Sequence, residues 1–267
     1  MTQLENEDLT GRDIVSHQVH MTGSGSGRPL VLLHSLLSDS ASFRDIAPAL
    51  SRSFQVLVPE LPGFGRSAPA ATLEAVADRM ADAIAEVTRG QKAILLGNGY
   101  GSFVALQIAI RRPEIADRIV LAGCGAAFSE PGRQAFRDMR NAAINKGLEA
   151  ITETAIRRLF SPEFQNAHPG LMADRRKAFL ATSPDVFADA CKALSELDIR
   201  QQATTVRIPA LLVVGDQDAA TPPAMAQELA SLLPDSELKI LSDCAHVPQL
   251  QAPQDFIEAT SEFLARP

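Results

Sequence analysis

At 267 residues the chain is long enough to bury one large core, and a second independent domain is not required. Its net charge of −7 comes from interspersed acids and bases with no Lys/Arg block, which excludes a protein that tracks a phosphate backbone and with it a nucleic-acid partner. The three cysteines, Cys124, Cys191 and Cys244, are far apart and odd in number, so they write neither a disulfide framework nor a Cys-x-x-Cys metal site, and a reducing, cytoplasmic location is expected.

Met1 to Gly11 is polar and acidic, lacking a basic leader and an apolar h-region. No later apolar run approaches the ~20 residues that cross a bilayer, so neither export by a cleaved signal nor a membrane span is expected. Ile14 to Thr22 alternates loosely as an edge strand, and Gly23-Ser24-Gly25-Ser26-Gly27 reads as a hairpin turn. That run lacks the lysine of a P-loop and leads into a strand, not a helix. Pro29 to Leu33 is uniformly apolar, as in a strand buried on both faces of a parallel sheet. It ends at His34-Ser35-Leu36-Leu37, after which Ser40 or Ser42 is expected to cap a helix running to Leu50. Phe54 to Val58 is the next strand, closed by the turn Glu60-Leu61-Pro62-Gly63-Phe64-Gly65-Arg66-Ser67.

Thr72 caps a helix whose Leu73, Val76, Met80, Ile84 and Val87 form one apolar stripe, and Gly90 ends it. Then comes Ile94-Leu95-Leu96-Gly97-Asn98-Gly99-Tyr100-Gly101-Ser102, a strand passing through closely spaced glycines into a helix-period stretch. The spacing is that of a nucleophile elbow, G-x-S-x-G, but the central position holds Gly99 where the motif has serine. Ile119 to Ala122 is another buried strand. From residue 127 to residue 203 helical patterns such as Ala142–Phe160 and Met172–Leu197 replace the alternation, which predicts a helical cap inserted into a core made of residues 1–126 and 204–267. The sheet resumes at Ala210 to Gly215, continues through a helix after Pro222-Pro223 and the strand Glu237 to Leu241, and ends in a helix from Pro253 to Leu264.

Two loops at strand ends carry chemistry. Asp218, in Gly215-Asp216-Gln217-Asp218, can accept the Nδ1 proton of a histidine, although a carboxylate there also serves to stabilise a turn. His246, in Asp243-Cys244-Ala245-His246, follows the last strand, the place of the base in a Ser, then Asp, then His chain order. The backbone amides of Leu36 and Tyr100 would together make an oxyanion hole. His34 reads as ordering its loop. Ser35 and Cys124 are further candidates for lining the cleft, as is Cys244, although support of the loop is the favoured reading of Ser35 and a small buried structural cysteine that of Cys124 and Cys244, while Ser102 should turn away from the elbow. Arg140, Arg157 and Arg158 are candidates for meeting a substrate carboxylate, with solvated helix faces the alternative.

Together these landmarks resemble the α/β-hydrolase family, and the segment from Gly147-Leu148 through Arg157-Arg158-Leu159-Phe160-Ser161-Pro162-Glu163-Phe164 to Ile199-Arg200 is similar to its 3-oxoadipate enol-lactonase branch. The resemblance implies an α/β fold, an eight-stranded and mostly parallel sheet covered by helices on both faces, under a helical lid. It also implies cofactor-free hydrolysis of a small ester, lactone or enol-type acid, with no metal. His246 is then the base, Asp218 the orienting acid and Gly99 the nucleophile position. Glycine has no side chain, so no acyl-enzyme forms there. Three readings follow: a His–Asp pair that activates water or runs a non-hydrolytic lyase reaction, a serine hydrolase disabled at the elbow, and a silent module that binds a small ligand. Each has a small-molecule partner, and a homodimer is an open assembly.

Overall fold

The computed structural model describes residues 11–267, so the acidic start at residues 1–10 lies outside the described residues. Eight strands form one sheet: β1 (Arg12–Ser16), β2 (Val19–Ser24), β3 (Arg28–Leu33), β4 (Phe54–Pro59), β5 (Ala93–Asn98), β6 (Ala116–Ala122), β7 (Ala210–Gly215) and β8 (Ser236–Leu241). Their spatial order is β1-β2-β4-β3-β5-β6-β7-β8, with the β1/β2 and β2/β4 pairs antiparallel and every other pair parallel.

Period-two alternation sorts the apolar strand residues onto two faces. Val31, Leu33 and Leu95 join one buried cluster, while Leu30, Leu32, Ile94 and Leu96 join the other. The helices cover both clusters: α1 (Ala47–Leu50), α2 (Leu73–Val87), α3 (Tyr100–Arg111), then α4 (Glu130–Lys146), α5 (Thr152–Ile156), α6 (Pro162–Ala167), α7 (Pro169–Leu180), α8 (Pro184–Glu196) and α9 (Arg200–Ala203), and after β7 α10 (Pro223–Leu232), α11 (Pro248–Gln251) and α12 (Pro253–Ala265). Thr72 Oγ1 accepts the Ala75 N–H at 3.1 Å and so starts α2, whose Val76, Met80 and Ile84 are buried on the first face. Phe256 and Phe263 of α12 are buried on the second. Truncating Met80 to alanine would cost about 2–5 kcal/mol in lost burial and cavity.

Between β6 and β7 the chain forms helices joined by short loops, with no strand of its own among the described residues beyond an isolated antiparallel bridge, Ala127 to Asp198. Its Phe179, Phe187 and Cys191 are continuous with the first cluster. Glycine and proline divide it: Gly147 ends α4 at φ 80°, and Pro162, Pro169 and Pro184 each open a helix.

Two expected elements differ. The span Ile14–Thr22 is not one strand but a hairpin, whose tight turn falls on His17 and Gln18 at φ 47° and 62°. Neither residue is the glycine or asparagine that usually marks such a turn, and the run at residues 23–27 expected to be the hairpin turn instead leads from β2 to β3, which are not neighbours in the sheet. The expected helix from Ser40 to Leu50 is instead a 3₁₀ turn, Ser40–Phe43, and the four-residue α1, and no serine side chain caps either one. Ser42 is buried, which removes it from a capping position.

Candidate active site

The site is built on the turn between β5 and α3. Gly99 sits there at φ 53°, ψ −118°, where an L side chain is strained, and its N–H donates to the Ala122 carbonyl at 2.8 Å. Ser102, one turn into α3, donates its hydroxyl to the carbonyls of Gly97 and Ala122 at 2.8 Å each. That hydroxyl ties helix to sheet and does not face the cleft.

His246 arrives on the loop after β8 with its backbone fixed from two sides. Its N–H donates to Leu159 of the β6–β7 helical segment at 3.1 Å, and its carbonyl accepts from Asn98 Nδ2 at 2.8 Å. Asn98 Oδ1 in turn accepts from Gln249 Nε2 at 3.0 Å. The imidazole packs over Gly123, which has φ 65° and where a Cβ would stand 3.0 Å from both Nδ1 and Cε1. Any side chain at 123 would push the ring out of place.

Behind the ring, Asp218 Oδ2 bonds His246 Nδ1 at 2.9 Å. Its Oδ1 accepts the N–H groups of Ala220 and Thr221 at 2.8 and 2.9 Å, and Thr221 Oγ1 donates to Oδ2 at 2.8 Å. Asp218 is only 3% exposed. Burial alone would raise its pKa, but the imidazole's charge and the hydrogen bonds from His246 and Thr221 outweigh it and hold the carboxyl below the usual 3.8. An ionised carboxylate only accepts, which assigns a proton to Nδ1, so in the neutral imidazole it is Nε2 that carries the lone pair. That nitrogen lies 2.8 Å from where a Cβ on Gly99 would be.

Nε2 opens into a cavity lined by Ser35, Leu36, Gly99, Tyr100 and His246 and closed by Phe103, Phe128, Met139 and Leu194. Its interior leaves about 60 Å³ for the centres of water-sized molecules, more than the ~10–15 Å³ that one water needs. Tyr100 begins α3, so its N–H has no acceptor in a preceding turn, and the Leu36 N–H also has no protein acceptor among the described residues. Both amides are therefore free to bind an oxyanion. The loop carrying Leu36 is braced by His34, whose Nδ1 donates to the Ser35 carbonyl at 2.9 Å and whose Nε2 accepts the Leu61 N–H at 3.1 Å. Burial holds the His34 pKa below 6.5, which keeps that ring neutral.

Of the residues singled out in the sequence, Gly99, His246, Leu36, Tyr100 and Ser35 meet in this cavity, with Asp218 behind. Cys124 does not line it. The chain turns at Gly123, and the Cys124 thiol is buried against the Gly125 carbonyl, where desolvation pushes its pKa up. Cys244 is likewise buried outside the cavity, its thiol pushed up to about 12 by burial. Of the three arginines only Arg158 reaches the cavity wall, and it has no carboxylate partner among the described residues. Asn98, Thr221, Gln249 and Gly123 escaped the sequence reading. Asn98 had left one signal, a polar side chain at the end of a strand otherwise apolar.

A family model described as alpha/beta hydrolase fold matches residues 28–253. The chain belongs to the α/β-hydrolase family. This α/β-hydrolase is 29% identical over 249 residues to the pimeloyl-(acyl-carrier protein) methyl ester esterase of Aeromonas hydrophila subsp. hydrophila, covering 90% of this chain and 96% of the relative. It is 26% identical over 263 residues to 3-oxoadipate enol-lactonase 2 of Acinetobacter baylyi, covering 97% of each. Among solved structures it is similar to the enol-lactonase from Burkholderia xenovorans LB400, with a TM-score of 0.86, 25% identity, and coverage of 93% of this chain and 96% of that one. No described helix of this α/β-hydrolase is long and apolar enough to cross a membrane.

Proposed function

We propose that this α/β-hydrolase cleaves a small, largely apolar ester or enol lactone without a cofactor, by direct attack of water. His246 is the general base, Asp218 orients it and stabilises the imidazolium that forms, and the amides of Leu36 and Tyr100 take the oxyanion. The observation that carries this reading is the position of His246 Nε2, on a ring backed by a buried carboxylate, beside the spot at Gly99 where the elbow has no side chain. The names of the esterase and enol-lactonase relatives support the bond type.

In the reaction the water oxygen bonds to the substrate carbonyl carbon as one of its protons passes to Nε2. The carbonyl oxygen becomes the oxyanion between the two amides. Collapse breaks the bond to the alkoxy or enol oxygen, and Nε2–H returns the proton to that leaving group. With no acyl-enzyme to divide the barrier, an easily expelled leaving group matters more, which favours enol and aryl esters over alkyl ones. Each oxyanion donor is worth about 10²–10³ in kcat and a general base about 10²–10⁴, enough for slow but real turnover without a nucleophilic side chain. In a serine protease, removing the triad still leaves ~10³–10⁴ over water.

The apolar walls fit a hydrocarbon acyl group, and Arg158 at the rim fits a carboxylate at its far end. The helices between β6 and β7 act as the cap that excludes bulk water. A panel of aryl esters, alkyl esters and enol lactones, with and without a terminal carboxylate, tests the reading. Aryl and enol substrates should be hydrolysed fastest, and wild-type protein that releases no acid from any of them refutes it.

A further inference from the structure

We propose that the Ser35 hydroxyl is a positioning residue that holds the attacking water against His246, standing in for the side chain missing at residue 99. This rests on the water-attack reading above. The point a Cβ on Gly99 would occupy is bordered by two functional atoms: His246 Nε2 at 2.8 Å, and Ser35 Oγ, which is in still closer contact, with Ser35 Cβ at 3.1 Å. Imidazole and hydroxyl thus close on the same spot from two separate loops. Ser35 is 3% exposed, yet its Oγ has no protein hydrogen-bond partner among the described residues, although it lines the cavity. The hydroxyl is not sealed off from solvent, and the space it lines is the cavity, so its hydrogen-bonding capacity is available to a molecule held there.

Its backbone is not free to drift. The Ser35 carbonyl accepts from His34 Nδ1 at 2.9 Å and from the Ser38 N–H at 3.2 Å, and the next residue, Leu36, supplies an oxyanion amide. One turn therefore fixes both the water's second partner and the acceptor of the developing charge. A water in the cavity beside that point donates one O–H to Nε2 and the other to Ser35 Oγ, which leaves a lone pair free to form the bond to the carbonyl carbon. The proton passes to Nε2, and Ser35 neither gains nor loses one. Glycine at 99 is what makes room for this arrangement, since any side chain there would displace both the water and the hydroxyl.

The test compares the full-length wild type with Ser35→Ala, Ser35→Thr and His246→Gln on an activated aryl ester, with melting temperature as the check of folding. Ser35→Ala should lower kcat about 10–100-fold with KM nearly unchanged, and Ser35→Thr should recover most of the loss. Ser35→Gly gives the same readout should the alanine variant melt early. If the Ser35 variants keep wild-type kcat while His246→Gln loses it, the inference fails and the water reading stands. If His246→Gln is as active as wild type, the water reading itself fails and takes the inference with it. Incubation with a fluorophosphonate, followed by peptide mass mapping, should leave Ser35 unmodified. An adduct on Ser35 would make it a nucleophile and overturn the positioning role.

Discussion

His246 Nε2 and Gly99 are arranged so that the imidazole stands 2.8 Å from the position of a Cβ the glycine does not have. The base has closed on the space a nucleophile's side chain would fill, and Ser35 has closed on it from the other loop. Restoring a serine is therefore not a simple repair. Gly99→Ser should destabilise the protein by about 1–3 kcal/mol, because φ is 53° and the new Cβ meets two groups already in place. Removing one of those groups should relieve part of the cost. In urea unfolding, the Gly99→Ser/Ser35→Gly double variant should be more stable than the sum of the single changes by about 0.5 kcal/mol or more. Strict additivity would mean that the two residues do not contend for one space.

Asp218→Asn keeps the shape of the site and removes the charge behind the ring. An amide can donate to Nδ1, which moves the ring proton to Nε2 and abolishes the base. Hydrolysis should fall by about 10²–10⁴, no further than on loss of the base itself. A steady-state assay that finds less than a tenfold loss would remove Asp218 from the mechanism.

His34 gives a pH prediction about stability. Burial lowers its folded pKa below 6.5, so between those two values the unfolded chain binds a proton that the folded chain does not. Stability from this residue is thus present above pH 6.5 and is lost as pH falls below it. The melting temperature should drop between pH 7.5 and 5.5, and the drop should be smaller in His34→Gln. Parallel curves for the two proteins would assign the pH dependence elsewhere.

Arg175 of α7 donates to Ser38 Oγ at 3.1 Å and to Asp39 Oδ1 at 2.8 Å, pinning the helical segment to the oxyanion loop. The two ends differ in exposure: the Arg175 side chain is 4% exposed and that of Asp39 42%. Arg175→Met leaves a hydrated carboxylate and should cost about 1 kcal/mol. Asp39→Ala strands a buried guanidinium and should cost more, approaching about 3 kcal/mol. Denaturant midpoints in the reverse order would refute this assignment of the pair.

The sheet was legible because parallel strands buried on both faces are written as apolar runs, and Val31 and Leu96 sit where such runs demand. The elbow was legible because the close passage of strand and helix requires glycines at fixed spacing. The β1–β2 turn was not, since His17 and Gln18 adopt left-handed backbone without the residue types that signal it. Ser35 was visible as a residue of the oxyanion loop that could line the cleft. The role proposed for it rests on the approach of two loops far apart in sequence, and no periodicity encodes that approach. Cys124, whose place after a core strand suggested the cleft, is instead the buried structural cysteine its small apolar side chain favours.

The central claim is that His246 drives the attack of water beside Gly99. The most direct measurement is kcat for an enol or aryl ester with wild type and His246→Gln side by side, each checked for folding by melting temperature. The account predicts a fall of about 10²–10⁴ in the variant, with no burst phase in either protein. Equal rates, or a burst in the wild type, would contradict it.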